Sequence, residues 1–396
     1  MPIIFESILE TNMLIIDGRF LTPHGVMRWV SVRDGVIAGM GAGEPLVSAD
    51  TPILAAGGAT IVPGFIDLHI HGAAGHDVMD ATPDALHGIA RFLAAHGVTS
   101  FVATTLTNPR DALQRALDNV RAYRDSPRSG GATLLGARLE GPYLNVEKCG
   151  AQNPAFIRTA DPDEAIAFLD IGVLRIVDIA PEIAANSWLI DECVRRGITV
   201  SMAHTSATAD QVMAAIARGA SQSTHTYNAQ TPLHHREPGV VGAVLATPAV
   251  RCELIADGVH VHPLAMRIAW MCKGADGLIL ISDAVRAAGM PDGEYQFDDR
   301  AVVLHDGAVR LTDGTLAGST LTMDRALRSL IAVTGEPLDA LWRTTSLTPA
   351  RAIGIEARKG SIEVGKDADL VFLDEMHTVA LTMIAGEVVY RRDSSA

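Results

Sequence analysis

The sequence predicts an α/β protein, a (β/α)8 TIM barrel carrying a small β-sandwich domain formed from both chain ends. Three observations lead there. Eight short apolar runs in the middle of the chain alternate with amphipathic stretches, both ends read as β, and no glycine-rich phosphate loop follows any of the runs. The chain has 396 residues, room for one large barrel and an appendage. Apolar residues make up 48% and charged residues 20%, which permits a large core and excludes bulk disorder.

Taken in order, residues 1–12 hold two glutamates and no basic run, so no signal peptide is expected. Residues 13–16 are apolar and end at the turn Asp17-Gly18. Residues 29–33 and 36–40 flank Asp34-Gly35, a strong hairpin signal. The barrel strands are expected at 65–70, 99–103, 134–139, 174–179, 199–203, 223–227, 253–256 and 278–282. Helical patterns at 83–95, 109–123 and 210–218 lie between them. A doubly wound sheet is the alternative, although it usually has fewer strands and a glycine-rich first turn. Residues 295–316 interrupt the alternation with a hairpin pair, turning at Asp306-Gly307 and Asp313-Gly314. Strand-like runs return at 360–362, 369–373 and 388–390. The expected division is a sandwich from 1–62 and 355–396 around a barrel from 63–354.

Charge and composition remove several function classes. The formal net charge is −14, from 46 acidic and 32 basic residues, the opposite of a broad nucleic-acid-binding surface. A few placed Arg or His side chains can still hold an anion locally. Aromatics, at 5%, are too few for a base-stacking platform. Four cysteines without CxxC spacing make neither a disulfide framework nor a zinc ribbon, which fits a reducing compartment and a cytoplasmic location. No apolar run reaches the ~18 residues that span a bilayer, so neither membrane nor nucleic acid is expected as a partner.

The strongest local signal is Pro63-Gly64-Phe65-Ile66-Asp67-Leu68-His69-Ile70-His71-Gly72. His69 and His71, two apart on a strand, project from one face. Two imidazoles aimed at one point suit a first-row metal, yet HxH alone is equally an ordinary polar strand end. Other runs sharpen the reading. Glu140, His204, His225 and Asp283 each stand where an apolar run stops. In a barrel those ends meet at one mouth, bringing four histidines and two carboxylates together. That set suffices for one or two divalent ions, with a carboxylate able to bridge them. His87, His96, His24, His305 and His377 fall on outer helices or β-rich segments and read as ordinary surface residues.

This set, on a barrel with a split sandwich, resembles the amidohydrolase superfamily. The runs Leu139-Glu140-Gly141-Pro142-Tyr143, Thr224-His225-Thr226-Tyr227-Asn228-Ala229, Arg236-Glu237-Pro238-Gly239, Asp257-Gly258-Val259-His260 and Leu316-Ala317-Gly318-Ser319-Thr320-Leu321-Thr322-Met323 narrow it. In that order they are similar to the N-acetylglucosamine-6-phosphate deacetylases, from about Met13 to Asp374. The resemblance implies that Glu140, His204 and His225 are metal ligands. It implies that His69 and His71, which only some members keep, allow a second ion bridged by Glu140. Asp283 would be a metal ligand and the catalytic base, then acid. Gln152 would sit near the substrate carbonyl. Asn228, the Ala229 backbone, Arg236 and His260 would contact the sugar phosphate, with one phosphate ligand supplied across a homodimer or larger homo-oligomer.

The implied reaction is removal of the N-acetyl group of N-acetylglucosamine 6-phosphate. Its products are glucosamine 6-phosphate and acetate, with water activated by the metal as nucleophile. Zinc is expected first, with iron, manganese or cobalt as alternatives. Three other readings stay open: the galactosamine epimer as substrate, another amidohydrolase acting on a cyclic amide or dipeptide, and a metal-binding sensor without catalysis. Asp283 argues against the last, because a binder needs no proton shuttle.

Overall fold

In the computed structural model, residues 13–45 and 50–393 are described. Residues 1–12, where no signal peptide is expected, lie outside the described residues. The central strands are Phe65–Ile70, Val98–Thr104, Thr133–Leu139, Leu174–Ile179, Thr199–Met202, Gln222–Ser223, Arg251–Leu254 and Leu278–Leu280. They form one sheet in chain order, every neighbouring pair parallel. The sheet closes on itself. Ile70 bridges Ala284 in parallel, and the Asp283 and His71 N–H groups donate to the carbonyls of His69 and Ala284, each at 2.9 Å. Closure explains why both faces of these runs are covered: Phe65–Ile70 and Val98–Thr104 are buried at every position, one face inside the barrel and the other under helices.

The helices follow from local chemistry. Pro83–Ala95 starts at Pro83, and the Thr82 hydroxyl accepts from the Ala85 N–H. Its Leu86, Ile89 and Leu93 are buried at helical spacing. Each such side chain contributes about 1.5–3 kcal/mol. Arg110–Asp125 likewise buries Leu113, Leu117 and Val120 and exposes its charges. Ala209–Ala217 starts with a reciprocal capping box between Thr208 and Gln211.

The interruption expected at 295–316 is a four-stranded antiparallel sheet of Gly293–Phe297, Arg300–His305, Ala308–Leu311 and Leu316–Ser319. Ser319 fastens it to the barrel, its N–H donating to the Asp283 carbonyl at 2.8 Å. Two further sheets come from the chain ends. One orders Val36–Gly41, Trp29–Arg33, Met13–Ile16 and Ile53–Ala55. The other runs Glu387–Arg391, Val379–Ile384, Leu370–Leu373, Thr60–Pro63, Arg19–Thr22, Gly25–Met27. Ile15, Phe20, Val32, Ile61, Phe372 and Met383 pack together between them as a second core.

The strands expected at 253–256 and 278–282 are found at Arg251–Leu254 and Leu278–Leu280, and two others differ more. The run at 223–227 is a strand only through Ser223, because the Gln230 amide donates to the Ser223 hydroxyl and the Thr224 carbonyl and turns the chain out of the sheet. The run at 360–362 pairs with no strand among the described residues; it places Ile362 in the second core instead.

Candidate metal centre

The barrel brings His69, His71, Glu140, His204, His225 and Asp283 to one mouth. Nε2 of His69 and Nε2 of His71 stand 3.2 Å apart. Oε2 of Glu140 lies 3.4 and 3.0 Å from them, and Oδ1 of Asp283 lies 3.3 Å from each. On the other side of the same carboxylate, Oε1 of Glu140 is 3.2 Å from Nε2 of His204 and from Nε2 of His225, which are themselves 3.2 Å apart. A tetrahedral ion with bonds of roughly 2.0–2.1 Å has ligand edges of about 3.3 Å. One cage therefore offers four donors and the other three, with the two oxygens of Glu140 divided between them. The nitrogen and oxygen donors fit zinc and its neighbours.

The backbone reaches these positions at a cost. His204, His225 and Asp283 take φ of 43°, 28° and 48°, the left-handed region that L-residues rarely occupy. Each stands where a strand ends and must turn its side chain inward. Neighbouring hydrogen bonds hold them there. The His204 carbonyl accepts from the Asn145 N–H at 3.0 Å, and the Asn228 N–H donates to the His225 carbonyl at 2.9 Å. Gly72 and Gly141 follow ligands where a Cβ would meet the His76 carbonyl oxygen at 2.2 Å and the Thr107 hydroxyl at 1.9 Å.

Electrostatics favour positive charge in the cages. Burial raises the pKa of Glu140. The His69 charge and hydrogen bonds from His204 and His225 outweigh it and hold the carboxyl well below its usual value. Burial likewise raises the pKa of Asp283, but the charges of His69 and His71 and the His71 hydrogen bond outweigh it and bring it down to about 2. Burial lowers the His71 pKa, but hydrogen bonds to Asp283 and Glu140 push it up to about 9. A cage that attracts protons against burial attracts cations.

Around this centre lies a cavity of about 170 Å³ lined by His71, Glu140, His204, His225 and Asp283. Of the residues expected at the substrate, Gln152, Asn228, Ala229 and His260 also line it. The Gln152 Oε1 accepts from the Thr107 N–H at 2.8 Å, and its Nε2 donates to Glu140 at 2.9 Å. His260 Nδ1 is 2.6 Å from Asp257 Oδ2. Phe297, Thr315 and Leu316 of the inserted sheet close one side of the cavity. Arg236 is not brought there. It is exposed beside His235, against a separate cavity lined by His234 and Asp210. Of the remaining histidines, His305 is exposed, whereas His96 is half-buried 3.2 Å from Asp324 and His87 bonds Tyr123.

Sequence reasoning missed the charged residues beneath the ligands. Asp67, Arg138, Asp178 and Glu253 are all fully buried. Arg138 donates to Asp178 Oδ2 at 2.7 Å and to Glu253 Oε1 at 2.5 Å. Asp67 accepts from the Ser282 hydroxyl at 2.5 Å, and burial pushes its pKa up to about 6. A signal was available: each is a charge inside an apolar barrel run, where only a paired role is tolerated.

Comparison with known proteins adds the lineage. A model of the amidohydrolase family matches residues 60–389. The chain is 39% identical to the N-acetylglucosamine-6-phosphate deacetylase of Bacillus subtilis, covering 96% of this chain and 98% of that one. It is also 39% identical to the N-acetylgalactosamine-6-phosphate deacetylase of Escherichia coli O157:H7, again over 96% and 98%. It superposes at a TM-score of 0.89 and 36% identity on a Mycobacterium smegmatis N-acetyl-D-glucosamine-6-phosphate deacetylase variant in complex with N-acetyl-D-glucosamine-6-phosphate, covering 96% of this chain and 99% of that one. With its barrel, its divided sandwich and its paired cages, the chain belongs to the amidohydrolase superfamily and, within it, to the N-acetylglucosamine-6-phosphate deacetylase family.

Proposed function

We propose that this chain removes the N-acetyl group of N-acetylglucosamine 6-phosphate by hydrolysis, releasing acetate and glucosamine 6-phosphate. The observation that carries the reading is the pair of cages sharing Glu140 beneath a cavity that also holds Asp283 and Gln152. The residues would hold one or two divalent cations, zinc first, through His69, His71, Glu140, His204, His225 and Asp283. Such a cation lowers the pKa of water toward about 7 and offsets negative charge at the carbonyl oxygen.

Asp283, held ionised by its histidines, is the base that takes the proton from water. As acid it then returns that proton to the departing nitrogen, because an unprotonated amide nitrogen leaves poorly. Gln152 is oriented by Thr107 so that its amide nitrogen, not its oxygen, faces Glu140; from there it offers a hydrogen to the acetyl oxygen. His260, fixed through Nδ1 by Asp257, presents Nε2 to the sugar phosphate, with Asn228 and the Ala229 backbone beside it. Arg236 stands apart from these groups, so in this reading it reaches the phosphate of a partner copy in a homodimer. Exposed Leu264, Ile268 and Met271 on the helix Pro263–Gly277 give such a partner an apolar surface.

The same reading divides the chain into a sandwich from 1–62 and 355–396 and a barrel from 63–354, supported by the separate core shared by Ile15 and Phe372. Four free thiols suit a cytoplasmic location. No helix among the described residues is long and apolar enough to cross a membrane.

The test is acetate release from N-acetylglucosamine 6-phosphate by metal-loaded protein. Activity no greater than that of His204→Ala protein sinks the proposal. The galactosamine epimer is the second reading, favoured by the equal identity to the E. coli enzyme. Comparing kcat/KM for the two epimers decides it. The relatives favour both over a cyclic-amide or dipeptide substrate.

A further inference from the structure

Glu253 belongs to none of the groups that line the cavity, yet it is fully buried and both of its carboxylate oxygens are engaged. Oε1 accepts from Arg138 Nη1 and from the Gln222 amide, each at 2.5 Å. Oε2 lies 3.4 Å from His69 Nδ1 and accepts the His225 N–H at 3.2 Å. The carboxylate therefore touches the outer nitrogen of one cage ligand and the backbone of a ligand in the other. Its hold on the two is unequal. On His69 it acts on the ring that donates to the cation; on His225 it acts only on the main chain.

We propose that Glu253 is a positioning residue that sets the cation affinity of the His69, His71 and Asp283 cage, separately from the cage of His204 and His225. An imidazole bonds a metal through one nitrogen only when the other carries the proton. A carboxylate on that other nitrogen fixes the tautomer, aims the ring and makes the donating nitrogen more basic. Glu253 does this for His69 Nδ1, leaving Nε2 as the lone pair inside the cage. His71 and His225 have no comparable help, since their Nδ1 atoms find no hydrogen-bond partner among the described residues. His204 Nδ1 donates instead to the Lys148 carbonyl at 2.7 Å. One histidine in each cage is thus oriented from outside, by a charge in the first and by a neutral carbonyl in the second. Arg138 keeps the Glu253 charge in place: it is braced by Asp178 on two sides, at 2.7 and 2.9 Å, and by the Leu68 carbonyl next to His69 at 3.3 Å.

This rests on the two-cage reading above, and the experiment separates the two. Zinc affinity at each cage is measured by chelator competition on metal-free wild-type protein and on Glu253→Gln, together with the melting temperature of both metal-free proteins. The expected result is two ions on the wild type, and on Glu253→Gln a 10–100-fold weaker first-cage ion with the second within about 3-fold. Wild-type protein that holds no ion at His69 and His71 removes the two-cage reading itself. Two ions on the wild type and unchanged affinities in Glu253→Gln overturn the role of Glu253 alone. Equal weakening at both cages, with a lower metal-free melting temperature, assigns Glu253 to packing and also overturns it. Should Glu253→Gln fail to fold, Glu253→Asp keeps a charge for Arg138 while drawing it back from His69. The same selective loss is expected there, and unchanged affinities overturn the proposal.

Discussion

In the proposed reaction Asp283 would do two jobs from one position, as cation ligand and as proton carrier, and they come apart experimentally. One oxygen sits against His69 and His71, each 3.3 Å away, while the side chain also borders the cavity. Asparagine keeps the size and an oxygen donor but holds no proton for the nitrogen. Asp283→Asn is expected to lower kcat by ~10²–10⁴-fold with a small change in KM. Steady-state kinetics beside metal analysis checks this, and full turnover with normal metal content would remove Asp283 from the proton path. His71 supplies a pH test. Its metal-free pKa is raised to about 9, so below that value an ion must displace a proton. Cation affinity should therefore fall as pH falls, with protons released on binding. Calorimetry in buffers of different ionisation enthalpy reads that release directly.

Strand ends hold the candidate ligands only because short segments after them turn sharply. Gly141 follows Glu140 with φ of 82°, and a Cβ there would overlap the Thr107 hydroxyl at 1.9 Å. Gly141→Ala should cost about 1–3 kcal/mol in urea denaturation, since both the backbone and the contact resist it. Cation affinity should drop as well, because the strain is relieved by moving Glu140. An alanine variant with wild-type stability and metal content would show that this turn has more freedom than its geometry implies. The inserted sheet illustrates the same dependence. It supplies Phe297 and Thr315 to the cavity wall and is pinned through Ser319 to the Asp283 carbonyl. A hairpin pair read from sequence as an interruption therefore helps to shape the site.

At the scale of the whole molecule, the barrel closes around buried charge. Burial raises the Glu253 pKa, but Arg138 and His69 outweigh it and bring it to about 2. A carboxyl depressed on folding adds stability above its unfolded value of about 4.5, and that contribution is lost as pH falls toward 2. Glu140 and Asp283 shift in the same direction. Metal-free protein should therefore lose thermal stability steeply from about pH 5 downward, a slope that melting curves would reveal. Glu253→Gln should flatten it. Removing the cations at neutral pH should also lower Tm, and returning zinc should restore it in a concentration-dependent way, because an ion that binds only the folded state stabilises by mass action.

Much of this molecule is written locally. Alternating runs, capped helices and the Asp-Gly turns disclose the barrel and the β-rich ends, because periodicity and turn chemistry act over a few residues. The HxH pair and the polar residues ending apolar runs disclose which side chains gather as candidate ligands, because a barrel sends every strand end to one mouth. What folding alone decided is which atoms share a partner. Glu140 divides its two oxygens between two cages, Glu253 reaches His69 from 184 positions away, and Arg236 stands outside the cavity its motif suggested. Those facts depend on distances between side chains on different strands. Such distances are fixed by barrel closure and packing, which no local stretch of sequence contains.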